Sequence, residues 1–346
     1  MPGRGDGVGA RGRRLAAAAC AALLIALSAP ATAGYQRPFG PLAPWNVPVA
    51  GLPRDPQSGL LSERLWRYAP SERPGNFNLG FDTYTYPVYR VQPDTPLVPV
   101  KTRRRTNIDG RRIPWDPAWQ PAPGDDAQVI ILDPATGREW DLWQVEFDGT
   151  TLRATNGSLV GGDYRTKEDG NPPSRGIGIQ YLAMLIRPEE IIAGRIDHAL
   201  SMPIRNTDRN RSVPPATKVE GKGPSHDAIP EGTRFALDVT DDEIEDWIAA
   251  LPDELPEATR RSARILARAM RDYGWFVTDN AGGATIQFEA RVTAGGDWAR
   301  LGLDDREIDD KKYPRDLLDG LITRDRLYAI VPSDRYPAAL QPAAAP

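Results

Sequence analysis

Apolar and β-branched residues come in short runs along this chain, and Gly, Pro, Asn and Asp interrupt them every few positions. That rhythm predicts short strands joined by turns rather than long helices. Over residues 76–91, Phe81, Thr83 and Thr85 alternate with Asp82, Tyr84 and Tyr86, a strand that Pro87 makes an edge or a bulge. Residues 97–103 form another strand, and Asp109-Gly110 suggests a hairpin joining 103–108 to 111–115. Strands over 128–132, 139–147 and 151–155, separated by DPATG and Asp148-Gly149, read as an antiparallel meander. Further strands are expected over 198–204 and 234–238, and a hairpin over 275–291 turning at Ala281-Gly282-Gly283.

Helical periodicity is scarcer. Residues 62–68 make one or two turns. Residues 186–193 have Pro188, Glu189 and Glu190 at the start and Gly194 as a C-terminal stop. Thr240 and Glu243 form a capping box, and residues 256–273 carry an apolar stripe through Ile265, Leu266, Ala269, Met270 and Tyr273. The fold class expected is mainly β: an antiparallel β-sandwich (jelly-roll or concanavalin-like) with helical insertions, or alternatively α+β with an antiparallel sheet. Residues 34–75 read as a Pro-rich wrap anchored by Trp45 and Trp66, 76–336 as a single β-rich domain, 206–230 as a long polar loop, and 337–346 as a disordered tail.

The N-terminus has the pattern of an export signal. Arg4, Arg11, Arg13 and Arg14 precede an apolar run over 15–27, and Ala31-Thr32-Ala33 offers a small-x-small cleavage site. The expected location is therefore secreted, with residues 1–33 removed. Removal takes four arginines and Asp6, a change of three, so the net charge moves from −4 to −7. Cys20 leaves with the signal, which excludes disulfides and thiolate chemistry from the mature chain. The acidic balance argues against nucleic acid and against an anionic membrane surface as partners after cleavage. No cofactor or metal is expected. Asp125-Asp126 lacks calcium-loop spacing, and His198 and His226 are too few for a three-histidine site.

Two constellations offer chemistry. Glu139 and Asp141, two apart on a strand, project from one face about 7 Å apart, and Trp143 continues that face. Close carboxylates can split their pKa values into an acid and a base, as glycoside hydrolysis requires. The competing reading is a solvent-facing polar side of an edge strand. The second constellation lies in residues 175–200, a loop, a buried apolar segment and a helix that bring Arg195, Asp197 and His198 together. A histidine beside a cation and a carboxylate can serve as a base or bind an acidic sugar, with Tyr84, Tyr86 or Tyr181 completing a lyase-like set. Here the competing reading is a structural histidine bonded to a backbone carbonyl. Glu189 and Glu190 read as helix N-terminal charges. The candidate site is thus Glu139, Asp141, His198 and Arg195 for catalysis, with Trp143, Tyr84, Tyr86 and Asp197 for substrate.

Glu139-x-Asp141-x-x-Gln144 resembles part of the strand motif of concanavalin-like glycosidases of the laminarinase/agarase group, departing from it at Gln144 where that family has a Glu. Across residues 76–290, FNLGFDTYTYPVY, DPATGREWDLWQ, SRGIGIQYLAMLIRPEEIIAGRIDHAL, VPPATK, IPEGTRFALD and RDYGWFVTDN resemble a family of uncharacterised secreted bacterial proteins. That resemblance implies kinship and export without a mechanism. The function expected is a carbohydrate-active protein, a polysaccharide hydrolase using paired carboxylates. The alternatives are a non-catalytic glycan or cell-wall binder and a lyase centred on His198. The expected partner is extracellular polysaccharide.

Overall fold

In the computed structural model the described residues are 35–342 apart from Ser71 and Pro173. The expected export signal and the last four residues lie outside them. The described chain begins with α1 (Ser58–Tyr68). It continues through nine strands: β1 (Asn78–Gly80), β2 (Val88–Arg90), β3 (Leu97–Thr102), β4 (Arg112–Pro114), β5 (Val129–Asp133), β6 (Arg138–Trp143), β7 (Glu146–Phe147), β8 (Leu152–Ala154) and β9 (Asn156–Leu159). Next come α2 (Pro188–Ala193), β10 (Leu200–Ile204), β11 (Thr207–Ser212), β12 (Ile229–Glu231), β13 (Arg234–Leu237), α3 (Asp241–Ala249) and α4 (Glu257–Asp272). The last elements named here are β14 (Trp275–Asn280), β15 (Thr285–Gln287), α5 (Arg291–Arg300), β16 (Arg306–Ile308), β17 (Lys311–Tyr313) and β18 (Leu327–Ile330). Strands outweigh helices, and they are spread over several small sheets with no closed barrel among the described residues.

Two four-stranded sheets, β2-β5-β6-β9 and β4-β3-β8-β7, share one apolar layer. Val129, Ile131, Trp140 and Leu142 of the first meet Val98, Val100, Ile113 and Leu152 of the second, with Trp115 between them. A third four-stranded sheet, β10-β14-β13-β18, packs with the helices. Its Leu200, Met202, Phe235 and Trp275 join Leu65 of α1, Trp247 of α3, Leu266 and Met270 of α4, and Trp298 of α5. Each helix buries its apolar side here, which supplies the stability that short isolated helices lack.

Residues 177–185 lie between these two bodies of strands without forming a strand themselves. Ile177, Ile179, Leu182, Met184 and Leu185 are buried against Ile130 and Leu132 of β5 on one side and Phe276 of β14 on the other. Buried backbone without a ladder must find hydrogen-bond partners elsewhere, and that requirement shapes the site described below.

Several expected elements take a different form. The single strand over 76–91 is two strands, because Tyr84 has φ +59° and bends the chain away from β geometry. The strand over 139–147 breaks after Trp143, where Gln144 has φ +54°. Val145 thereby joins Trp140 and Leu142 in the apolar layer between the two sheets. The expected hairpin around Asp109-Gly110 is replaced by β4 pairing with β3. β14 and β15 do not pair: β14 lies between β10 and β13, and β15 runs parallel to β1. Within the expected loop over 206–230, β11 pairs with β12. The described part of the expected disordered tail forms a 3-10 turn, Ala338–Leu340, with Gln341 Nε2 donating to Tyr336 O at 2.6 Å.

Candidate functional site

The parallel pair β1–β15, the turn after β1 and the end of β14 enclose a cleft of about 1140 Å³, which the β16–β17 hairpin flanks. Its lining includes Tyr84, Tyr86, Asp126, Gln128, Asp279 and Gln287. Tyr84, placed by its positive φ, exposes 58% of its surface. Tyr86 points the other way and is buried, stacked on Tyr181 with ring centroids 4.4 Å apart. Burial pushes the Tyr86 hydroxyl up to about 12, against the opposing pull of Arg175.

Beneath Tyr86 lies Arg175, its guanidinium 4.9 Å from the ring centroid. Arg175 Nη1 donates to Gln287 Oε1 at 2.8 Å and to Ser201 Oγ. Its Nη2 donates to the carbonyls of Tyr181 (2.6 Å) and Ala183 (3.2 Å). Gln287 Nε2 donates in turn to Tyr84 O at 2.6 Å, and Ser201 Oγ bonds Thr278 Oγ1 at 2.7 Å. This network ties the buried segment over 177–185, the cleft turn and β14 into one unit.

Asp279 is the notable carboxylate of the cleft. It is half-buried, and Gly176 packs directly on it: a Cβ on Gly176 would lie 2.5 Å from Asp279 Oδ1. Burial pushes its carboxyl up to about 7, helped by the negative Glu220 and Glu231 nearby and opposed by Arg175. A carboxylic acid that stays protonated near neutrality while lining a cleft can donate a proton to a bound molecule. Sequence reasoning missed it. A lone Asp at the end of a strand carries no local signal, and the closeness of Gly176 becomes visible only in three dimensions.

Glu139 and Asp141 do share one face of β6, and they are buried together (0% and 2% exposed). The solvent-facing edge reading is therefore corrected, since β6 is an interior strand between β5 and β9. Their role follows from the strandless segment above them. Glu139 Oε1 accepts from Leu182 N at 2.9 Å, and Asp141 Oδ2 accepts from Tyr181 N at 3.1 Å and from Ser174 Oγ. Asn171 Nδ2 completes the set by donating to Ser174 Oγ at 2.7 Å and to Ser158 Oγ at 3.0 Å. The remaining oxygens, Glu139 Oε2 and Asp141 Oδ1, take no other partner and can share a proton. Burial, then the charge of Asp141, holds Glu139 well above the usual carboxylate range; burial also raises Asp141. Neither lines the cleft.

The second expected constellation comes apart. Arg195 and Asp197 form an ion pair at 2.5 Å, with Arg195 exposed. His198 turns inward, with Nδ1 2.8 Å from Ala199 O and Nε2 2.8 Å from Glu190 Oε1. Glu189 and Glu190 stand in the first turn of α2 as expected, and Glu190 is in addition fully buried. It accepts from Tyr35 OH at 2.5 Å and from Arg187 N at 2.8 Å, and it pairs with Arg187 Nη2 at 3.1 Å. Burial opposes its ionisation, but His198 and Arg187 outweigh burial and pull it to about 2. Trp143 Nε1 donates to Asp126 Oδ1 at 3.1 Å, which orients a cleft carboxylate rather than a stacking platform. Of the expected site residues, the cleft brings together only Tyr84 and Tyr86. Among the described residues, no three His, Asp, Glu or Cys side chains converge as a metal set. Compared with family models, curated proteins and solved structures, the chain matches none.

Proposed function

We propose that this is a secreted glycoside hydrolase that takes an extracellular polysaccharide into the cleft beside Tyr84 and uses Asp279 as its acid. The observation that carries the reading is a cleft-lining carboxyl held at about 7. Hydrolysis of a glycosidic bond needs a carboxylic acid to protonate the leaving oxygen and a second carboxylate nearby. Asp126, which lines the same cleft and is oriented by Trp143 Nε1, is the candidate for that second role. Tyr84 offers an exposed ring for a sugar face, and Gln128 and Gln287 offer amides for hydroxyls. Glu139 and Asp141 act at one remove in this reading, by holding the backbone that carries Tyr181 and, through Ser174, the loop of Arg175 and Gly176. A lyase centred on His198 gains no support, because both ring nitrogens are engaged away from the cleft. In fold terms, the sheets β2-β5-β6-β9 and β4-β3-β8-β7 are the leaves of the proposed sandwich, a reading supported by their shared apolar layer.

The test is a polysaccharide panel read both for new reducing ends and for unsaturated-uronate absorbance. New reducing ends that fall at least about 100-fold in Asp279→Asn support the assignment. Because Asp279 acts in its protonated form, the rate should fall as pH rises through about 7. Undiminished turnover in Asp279→Asn overturns the role of Asp279, and unsaturated products overturn hydrolysis. The exposure of Tyr84 favours a second reading, a non-catalytic glycan binder, which retention on a glycan without any product would select.

A further inference from the structure

We propose that Lys222 is an anion-recognition residue and that the polysaccharide it meets is acidic, carrying a carboxylate or a sulfate ester. This inference rests on the proposed function and specifies its substrate class. Lys222 is exposed and lines the cleft together with Asp279. Its flanks are Gly221 and Gly223, and neither has room for a side chain. A Cβ on Gly221 would lie 2.2 Å from Asp208 O, and one on Gly223 would lie 2.3 Å from Asn206 Oδ1 and 3.0 Å from Thr207 O. The strip is also bonded down: Gly223 N donates to Thr207 O at 2.7 Å, and Arg209 N donates to Gly223 O at 3.1 Å. The three-residue strip is thus pressed onto the β11 backbone, and one ammonium is the only side chain it presents.

That ammonium is free. Among the described residues nothing forms a hydrogen bond or ion pair with Lys222. The arginines that line the cleft are committed. Arg291 is held by Asp82 (2.5 Å) and Asp305 (2.8 Å), Arg306 by Asp304, and Arg315 by Glu72. Lys312 forms no ion pair either among the described residues, but it stands on the flanking β16–β17 hairpin, in register with Glu307, and not on a strip pinned to the cleft wall. A neutral sugar entering beside Lys222 would strip water from the ammonium and return no charge, whereas an anionic sugar returns a charge-assisted hydrogen bond. Asp279, elsewhere on the lining of the same cleft, does not repel that anion while it is protonated, a form that burial favours up to about pH 7.

The experiment compares wild type, Lys222→Gln and Lys222→Arg on a neutral β-glucan, a polyuronate and a sulfated galactan, by affinity electrophoresis and by reducing-end release, with circular dichroism to confirm folding. The expected result is binding confined to one or both acidic polymers. Lys222→Gln should weaken it about tenfold, and Lys222→Arg should restore most of it. Raising salt from about 0.05 M to about 0.5 M should weaken wild type more than Lys222→Gln, because screening acts on the charge the variant lacks. Preference for the polyuronate assigns the carboxylate, and preference for the galactan assigns the sulfate. Binding or cleavage of the neutral glucan that matches the acidic polymers, with Lys222→Gln indistinguishable from wild type, overturns the inference and leaves the hydrolase intact. Failure to bind or cleave any of the three overturns both.

Discussion

Glu139→Gln should make the protein progressively more stable than wild type as pH rises. In the folded state Glu139 is fully buried, and burial together with the adjacent Asp141 favours its neutral form. In the unfolded chain it ionises near its ordinary value of about 4.3. A carboxyl whose folded pKa is raised contributes its full stability below the unfolded value and loses it as pH climbs towards the folded value. Over that window each pH unit costs wild type about 1.4 kcal/mol. Gln cannot ionise, and its amide reproduces the protonated acid: Oε1 accepts from Leu182 N and Nε2 donates to Asp141. The two proteins should therefore unfold alike in urea at pH 4, and the variant should gain up to about 1.4 kcal/mol per unit above that. For a chain of this size each kcal/mol moves Tm by about 2–4 °C. A stability difference that stays constant between pH 4 and pH 8 would refute the buried, proton-sharing pair.

Three other substitutions probe the same framework. Arg175→Met should destabilise by about 2–5 kcal/mol in urea unfolding, because it orphans the carbonyls of Tyr181 and Ala183 in the interior, while Gln287 Oε1 keeps its bond from Ser201 Oγ; a loss below about 1 kcal/mol would show that these carbonyls find other partners. Gly176→Ala should displace the Asp279 carboxyl and move the alkaline limb of the pH–rate profile away from about 7, with little change in Tm. Glu190→Gln should cost stability at neutral pH but not near pH 2, because a folded pKa lowered to about 2 contributes above the unfolded value and is lost as pH falls; equal unfolding midpoints at pH 7 would overturn this.

What the sequence reveals here depends on range. The Thr240–Glu243 capping box is local chemistry, and it stands as read, with Glu243 N donating to Thr240 Oγ1 at 3.2 Å. The α4 stripe is equally local: Ile265, Leu266, Ala269 and Met270 are buried, while Tyr273 is the half-buried residue that ends the helix. The alternation of β6 places Glu139 and Asp141 on one face correctly, but alternation does not tell which face is covered. Two acids read as solvent-facing until an unpaired backbone above them supplies N–H donors. The hairpin expected over 275–291 fails for a related reason. Ala281-Gly282-Gly283 does turn the chain, yet a turn does not dictate a partner, and Thr285–Gln287 pairs with Asn78–Gly80 instead. Asp279 and Lys222 carry no sequence signal at all, since each matters only through glycines that other segments press against.

The β1–β15 pairing sets the order in which the protein acquires its cleft. Asn78 is registered with Thr285 and Gly80 with Gln287, strands that lie some two hundred positions apart in the chain. Closing so long a loop forfeits chain entropy before any contact repays it, which makes such parallel pairings slow to form. The capped α3, α4 and the β5–β6 ladder can assemble from near neighbours, but the wall beside Tyr84 cannot close until residues 285–287 have emerged and returned to β1. A chain interrupted anywhere between them can hold formed helices and ladders and still have no place for a ligand. Recovery of ligand binding during refolding should accordingly lag behind recovery of secondary structure.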